Sequence, residues 1–524
     1  MDAAIDIGDV DVVIVGTGIS ESILAAAIAR TGRQVLHLEK GSTYGDSWTT
    51  IDLEELIRTS EIPNGLATEN DTWESINSER IKLANRSLQS RIEVVANFGS
   101  VDDAIKASVD ITPRPLFCNG TMVNLLVKSG GGDYVDFKAL NASFLDFGDT
   151  PGGIQRVPQS RSEVFQSRLI SAPEKRLLMR FVKICTDEDT TTDEQREKQM
   201  SSSNFDEYME AMLLNEKLRT LISNALIFVE DPKSISVQHG RDLLQLYFSS
   251  LARYGTGNAL LLTNYGGSEL SQAFCRISAV NGSIYVLRRA VEEILLEDGA
   301  VSGILTTAGD RLNTRHVFAS SMFDPGRLGE EDVVWRFVGV LQRAILDGHS
   351  RTLVIVPKGV GSRTSTVRVW QVDSSLGVCG DGYFVLYAEC VDGSGTEEDI
   401  RSALARVLGE SYSEKISRGI IFKQRMWTRK EHGSRPSNLE WIHDVPVEID
   451  FTGAIEQAEA LFRSNFPDEG WFPEPVNVVP EVSESSEPGD ANASYDQRHD
   501  ASPTEEEPVD DKEVLARSGS PQTT

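Results

Sequence analysis

Apolar and polar positions follow two different periods along this chain. Near the N-terminus, Asp11-Val12-Val13-Ile14-Val15 forms a short, nearly continuous apolar run, and a second run, Gln34-Val35-Leu36-His37-Leu38, follows about twenty residues later. Between them Ile23-Leu24-Ala25-Ala26-Ala27-Ile28 is apolar over more than a helical turn. Short apolar runs bounded by turn residues predict buried strands, so the first forty residues predict a β-α-β unit. From about Pro115 the pattern turns helical over 116–127, 134–140, 161–170, 174–185 and 205–229, which predicts an inserted all-helical domain at about 114–229. Within it, 186–203 is polar and acidic and is predicted to be a loop that need not be ordered. Beyond 230 the pattern predicts helices at 240–254 and 268–277 and strands at 260–262, 283–287, 300–306, 352–356, 367–372 and 383–388. A surface helix is predicted at 396–408 and a last helix at 454–462.

The predicted architecture is therefore α/β: a large, discontinuous domain built from 1–113 and 230–477, carrying a small helical domain at 114–229. After Asn477 the chain is dominated by Glu, Ser, Pro and Asp, a composition that predicts a disordered acidic tail over 478–524. The whole chain of 524 residues has a net charge of −29, which argues against nucleic acid as a partner because phosphate contacts need clustered Lys and Arg. The same charge disfavours attraction to anionic membranes. Five scattered cysteines without a Cys-x-x-Cys pair point to neither a disulfide framework nor a zinc site, and thus to a reducing compartment. No apolar segment approaches the roughly twenty residues of a membrane span.

Candidate chemistry concentrates in the β-α-β unit. Gly16-Thr17-Gly18 opens the helix as a dinucleotide fingerprint does, and Glu39 stands where an acid would hold a ribose hydroxyl, so the large domain reads as flavoprotein-like, of the FAD/NAD-binding type. The third glycine of the fingerprint, however, is Glu21. A carboxylate in the first helical turn suits the helix dipole but repels a bound phosphate, so no cofactor is predicted and the fingerprint is vestigial. No His-Glu-x-x-His pair, Gly-x-Ser-x-Gly elbow or phosphate loop occurs, and no catalytic residue is assigned. Tyr44 and Trp48 sit on a turn-rich loop, 41–48, as either a protein-binding surface or partly buried anchors. On the segment 174–185, Leu177, Leu178, Phe181, Val182 and Cys185 share one face, which is either a core stripe or the wall of a site for a long apolar ligand. Phe165, on the preceding helix, is either core or an exposed anchor.

These residues resemble the family that contains Rab GDP-dissociation inhibitors and Rab escort proteins. The likeness covers nearly all of 10–477. It rests on four ordered blocks: Ile14-Val15-Gly16-Thr17-Gly18 to Glu21; Leu36-His37-Leu38-Glu39-Lys40 to Tyr44-Gly45; Ser250-Leu251-Ala252-Arg253-Tyr254-Gly255; and Asn264-Tyr265-Gly266-Gly267 to Phe274. Glu163-Val164-Phe165 with Glu174-Lys175-Arg176 is similar to the escort-protein helices that dock on the α-subunit of Rab geranylgeranyltransferase. Dissociation inhibitors carry a small residue at the Phe165 position. Two departures stand out: the family's Tyr-Tyr-Gly-Gly turn is Thr43-Tyr44-Gly45-Asp46, and a family proline is Ser271.

The resemblance implies a non-catalytic escort that binds newly made, GDP-bound Rab GTPases and presents them for geranylgeranylation. It implies Rab contacts at Tyr44, Arg253 and Tyr265, with Lys40 and Trp48, and transferase docking at Phe165 and Arg176. It also implies shielding of the geranylgeranyl lipid by apolar residues of the helical domain, among them Leu178, Phe181 and Val182. The implied location is the cytosol, with transient membrane association when prenylated Rab is delivered. Two other functions fit parts of the pattern: a dissociation inhibitor that only recycles prenylated Rab, and a flavin-dependent oxidoreductase, which Glu21 disfavours.

Overall fold

Two large sheets and the helices packed on them account for most of the buried apolar residues. The computed structural model describes residues 8–61, 79–84, 91–99, 105–148, 153–187, 192–255, 257–324, 332–391, 393–427 and 436–473. They belong to a unit that spans 1–478; the predicted acidic tail lies outside the described residues.

The first sheet grows from the N-terminal unit: β1 (Val10–Val15), α1 (Ile19–Ala29) and β2 (Val35–Leu38). β1 pairs in parallel with β2 on one side and with Arg311–Ser320 on the other. Ile284–Val286 adds to β2, and Leu439–Ile442 adds to Arg311–Ser320, all in parallel. An antiparallel wing of Ala300–Thr306, Val291–Glu297 and Arg80–Lys82 completes this eight-stranded sheet. α1 is buried along its whole length because the helices Ser268–Val280 and Thr452–Asn465 pack on it. That burial explains its nearly unpatterned, alanine-rich sequence, since a helix covered all round has no polar face.

The second sheet is also eight-stranded and mostly antiparallel, running Ile154–Arg156, Ala142–Asp146, Thr352–Val356, Val367–Asp373, Phe384–Cys390, Asp332–Leu341, Ile416–Met426 and Ile92–Gly99. One face meets the helix Glu397–Leu408. The other shares a continuous core with the helices between Arg161 and Arg253.

The structure moves the start of the helical region. Within the span predicted to be helical from 114, Leu116–Phe117, Phe137–Ala139, Ala142–Asp146 and Ile154–Arg156 are strands, and among the described residues only Thr121–Ser129 is an α-helix before Arg161. The first three strands have partners far along the chain, at Leu260–Thr263 and Thr352–Val356, and Ile154–Arg156 pairs back on Ala142–Asp146, so local periodicity could not reveal them. From Arg161 on helices dominate: Arg161–Gln166 and Ala172–Thr186 are present as expected, whereas the single helix expected over 205–229 is broken by a left-handed turn at Leu213 into Phe205–Ala211 and Glu216–Leu221, the latter running into a π-helical turn, Ile222–Leu226. The helix Val237–Arg253 packs on Ala172–Thr186 and Phe205–Ala211, joining the same layer. The acidic stretch predicted as a loop holds a helix, Asp193–Ser201, started by a capping box of Thr192 and Gln195.

Candidate functional site

The dinucleotide fingerprint is filled by the chain's own side chains. Glu21 is buried, and its carboxylate lies over the Gly16-Thr17-Gly18 turn, with Oε2 only 2.4 Å from where a Cβ on Gly18 would sit. A bound diphosphate would need that same space next to the start of α1. Glu39, in the position that holds a ribose, accepts instead from the Thr17 N–H at 3.0 Å, the Thr17 hydroxyl at 2.7 Å and the Gly41 N–H at 2.8 Å. Below the turn His37 Nε2 bonds the Gly16 carbonyl, and burial pushes the His37 pKa down to about 4, keeping the ring neutral. These residues do not fit a flavin dinucleotide: the phosphate space holds a carboxyl group and the ribose acid is committed to the chain.

Glu21 belongs to a buried charge cluster that no local pattern in the sequence announces. Arg91 is fully buried, pairs with Asp46 at 3.1 Å and Asp444 at 2.7 Å, and lies 4.6 Å from the centre of the Trp427 ring. One guanidinium thus serves two carboxylates near a third. Burial, then Asp46, pushes the Glu21 pKa up to about 8, and burial raises Asp46 to about 6 although Arg91 opposes it. Because the folded pKa of Glu21 stands above the usual 4.5, the folded chain retains a proton that the unfolded chain releases, and this group makes stability fall as pH rises from about 4.5 to about 8. A Glu21→Gln variant, which has nothing to ionise, is expected to melt a few degrees above the wild type at pH 8, with the gap closing toward pH 5. Thermal melts across that range check it, and a gap independent of pH would count against a proton held on Glu21.

The loop that follows β2 leads from this cluster to the surface. Gly45, at φ 108°, turns the chain and donates to the Thr17 hydroxyl at 3.0 Å. Tyr44 is half-buried, edge-on to Tyr285 at 6.2 Å, and Lys40 is half-buried with its pKa lowered by burial. Trp48 is a partly buried anchor, with Arg114 4.7 Å above its ring and Phe451 at 5.2 Å. Two residues on, Thr50 donates to Asp110 at 2.6 Å and accepts from the Ser268 N–H at 3.2 Å, while Gly267 donates to Asp110 at 2.9 Å. Those bonds tie the turn carrying Tyr265 to the end of the Tyr44–Trp48 loop. Tyr265 is 61% exposed at φ +62°, its N–H bonded to the Leu376 carbonyl at 2.7 Å and its ring lying on Gly377, where a Cβ would come within 2.4 Å. The chain between it and Arg253 contains the strand Leu260–Thr263. Arg253 ends the helix Val237–Arg253 and donates to Asn119 at 2.8 Å and Asn124 at 2.5 Å.

In the helical layer Phe165 is not a core residue: the side chain is 69% exposed at the end of its helix. Lys175 donates to the Phe165 carbonyl at 2.8 Å, which brings the start of the Ala172–Thr186 helix, and with it exposed Arg176, beside the phenylalanine. Ser171 and Glu174 form a capping box, and the other Glu174 oxygen accepts from Asn215 at 2.7 Å. Farther along the helix a cavity of about 360 Å³ opens, walled by Val164, Leu178, Val182, Leu221, Phe248 and Leu251, with Lys183 and Asp187 also on its lining. Leu178 and Val182 therefore face this space. Phe181 does not line it; it is buried against Phe205 and Tyr208. The far wall, Phe248 and Leu251, comes from a helix outside the segment that the sequence marked. Among the described residues no helix is long and apolar enough to cross a membrane.

A sequence profile of the GDP dissociation inhibitor family matches residues 6–74 and 77–418. A Drosophila melanogaster protein named Rab proteins geranylgeranyltransferase component A is 29% identical over 499 residues, which cover 92% of this chain and 93% of that protein. Rab escort protein 1 of Arabidopsis thaliana is 29% identical over 433 residues, 73% of this chain and 77% of its own length. Among solved structures, a Rab GDI from Plasmodium falciparum superposes with a TM-score of 0.66 at 17% identity, covering 88% of this chain and 98% of that one. An oxidoreductase from Methanosarcina mazei reaches 0.53 at 11% identity, over 86% and 100% of the two chains. Both likenesses concern the fold, which is that of the flavoprotein-like α/β proteins expected from the β-α-β unit.

Proposed function

This chain belongs to the GDP dissociation inhibitor family, and we propose that within it the protein works as a Rab escort, the accessory component that presents GDP-bound Rab GTPases to Rab geranylgeranyltransferase. The observation that carries the escort reading is Phe165, a large aromatic left 69% in solvent beside the exposed guanidinium of Arg176. Aromatic residues and arginines are the residue types that dominate interface energies. Phe165 and Arg176 dock on the transferase α-subunit, while Tyr44 and Tyr265, on two loops bonded to each other, receive Rab. The protein performs no chemistry itself, in keeping with a fingerprint closed by Glu21 and Glu39.

After transfer, the lipid needs cover. Each buried methylene is worth about 0.8 kcal/mol, so a chain of about twenty carbons left in water would drive the product onto membranes or into aggregates. The cavity beside Leu178 and Val182 lies in the size range of small-ligand sites and supplies an apolar wall. Prenylated Rab then stays in the cytosol until a membrane accepts it. Filling the cavity by Val182→Trp is expected to lower affinity for prenylated Rab toward that for unprenylated Rab, at least tenfold, and to leave unprenylated Rab binding unchanged. Titration of both Rab forms checks this; equal loss for both would remove the lipid role from the cavity.

The deciding experiment is a reconstituted prenylation assay with unprenylated Rab, the two-subunit transferase and labelled geranylgeranyl diphosphate, with and without this protein. Transfer that depends on the protein supports the escort function. Binding of GDP-bound prenylated Rab without any stimulation of transfer would support the recycling function of a dissociation inhibitor instead.

A further inference from the structure

Close to Phe165 and Arg176 stands a third exposed side chain whose residue type folding alone does not explain. Leu213, in the connection between the helices Phe205–Ala211 and Glu216–Leu221, is 77% exposed and has φ +64°. A branched apolar residue in the left-handed region is an outlier: the conformation crowds Cβ against the backbone, and glycine or asparagine adopts it with less strain. The surroundings over-determine it. The Leu213 N–H donates to the Glu210 carbonyl at 2.8 Å, the Leu214 N–H donates to the Met209 carbonyl at 3.0 Å, and the Leu214 side chain is buried. Here the fold fixes a turn that would suit asparagine, and the chain carries a leucine pointing at solvent. Those two bonds close the helix Phe205–Ala211 with a left-handed cap, which accounts for the turn but not for an exposed leucine in it, and an apolar side chain kept there directs attention to binding.

The turn belongs to the same face as Phe165. Two residues after Leu213, Asn215 caps the next helix and donates to Glu174, the neighbour of Lys175 and Arg176. Lys217, on the same helix, donates to the Leu169 carbonyl, in the link between the helices that carry Phe165 and Arg176. Two residues of chain span at most about 7 Å, so Leu213 lies near the start of the Arg176 helix, as Phe165 does. The charge of the face narrows what can cover it. Lys175 and Lys217 are engaged with carbonyls and Arg176 Nε donates to the Ala172 carbonyl at 3.4 Å; Arg168 and Arg176 are exposed, and among the described residues neither is paired with a carboxylate. The face therefore carries two apolar knobs, with exposed Arg168 and Arg176 on the Phe165 side and exposed Glu210 and Glu216 flanking Leu213 in the chain, and its complement is a protein surface with apolar hollows and charges of both signs.

We infer that Leu213 is a further anchor for the prenyltransferase subunit that docks on Phe165 and Arg176, so that the docking surface comprises two helices and the Leu213 turn. The inference rests on the escort reading. Two substitutions separate binding from folding. Leu213→Asn keeps a residue that tolerates the left-handed turn and removes the apolar knob; Leu213→Ala removes the knob and keeps the strain.

The experiment measures the affinity of the full-length chain, loaded with GDP-bound Rab, for the purified two-subunit transferase. Thermal melts and Rab affinity are recorded alongside. Both variants are expected to bind the transferase about tenfold more weakly with Rab affinity unchanged, and Leu213→Asn is expected to melt no lower than the wild type. Wild-type affinity in both variants, with Phe165→Ala still defective, overturns the role of Leu213 and leaves the docking reading standing. Loss of Rab binding in step with transferase binding overturns it in favour of a purely structural role. Undiminished transferase binding by Phe165→Ala overturns the docking surface as a whole, Leu213 included.

Discussion

Replacing Phe165 by alanine is expected to abolish stimulation of Rab prenylation while leaving Rab binding and thermal stability intact. The ring is 69% exposed, so its removal costs the fold little; surface substitutions away from special features usually fall within about 0.5 kcal/mol. At an interface the same ring becomes a buried aromatic anchor beside an arginine. Truncating such a hot spot costs about 2–4 kcal/mol, which corresponds to roughly a 30- to 1000-fold loss of affinity for the transferase. Calorimetric or fluorescence titration with the transferase, followed by the prenylation assay at limiting protein, reads the effect. Equal losses for transferase and for Rab would mean that Phe165 supports the fold rather than docking. A loss smaller than threefold would move the anchor elsewhere on the helical layer.

The second large effect concerns stability. Arg91→Met is expected to destabilise the protein by about 3–5 kcal/mol near pH 7.5, because it strands Asp46 and Asp444, both nearly buried, without their shared cation. Methionine keeps an unbranched apolar chain in place of the Arg91 stem but not the guanidinium that lies over Trp427, so the loss is chiefly electrostatic. With Arg91 gone, Glu21 and Asp46 lose an influence that lowers their pKa values, and the carboxylates protonate more readily. The destabilisation should therefore shrink as pH falls through about 6, the value to which Asp46 is already raised in the intact protein. Melts of wild type and variant at pH 7.5 and 5.5 test this. A loss of the same size at both values would assign the role of Arg91 to packing on the tryptophan. Since Asp46 closes the turn between Tyr44 and Trp48, weaker Rab binding by the variant is expected as well.

The strongest sequence signals were those generated by a single element together with its immediate neighbours. β1, α1 and β2 were legible because a run of apolar residues, a glycine turn and a helical period follow one another within thirty residues. Strands such as Ala300–Thr306 and Thr352–Val356 were legible because each is an apolar or alternating run between turn residues. The segment between Leu116 and Arg156 was not. Its strands are two to five residues long, too short to show a period, and all but Ile154–Arg156 form because partners more than a hundred residues away complete their ladders. The helix Asp193–Ser201 was missed for another reason: its residues are polar all round and its start is fixed by one capping box rather than by an apolar stripe.

By itself, the sequence determined the flavoprotein-like α/β unit, the loss of its third glycine to Glu21, and the pairing of Phe165 with Arg176 at a spacing that resembles the escort branch of its family. Those features are properties of residue types in local order, so they survive without coordinates. Only the tertiary structure decided that Phe165 points into solvent while Phe181 is buried in the core, that Trp48 is wedged under Arg114, and that Arg91 joins Asp46 and Asp444 around Glu21. Exposure, pKa and charge pairing depend on what stands opposite a side chain, and for Arg91 the residue opposite, Asp444, comes from 353 positions along the chain away.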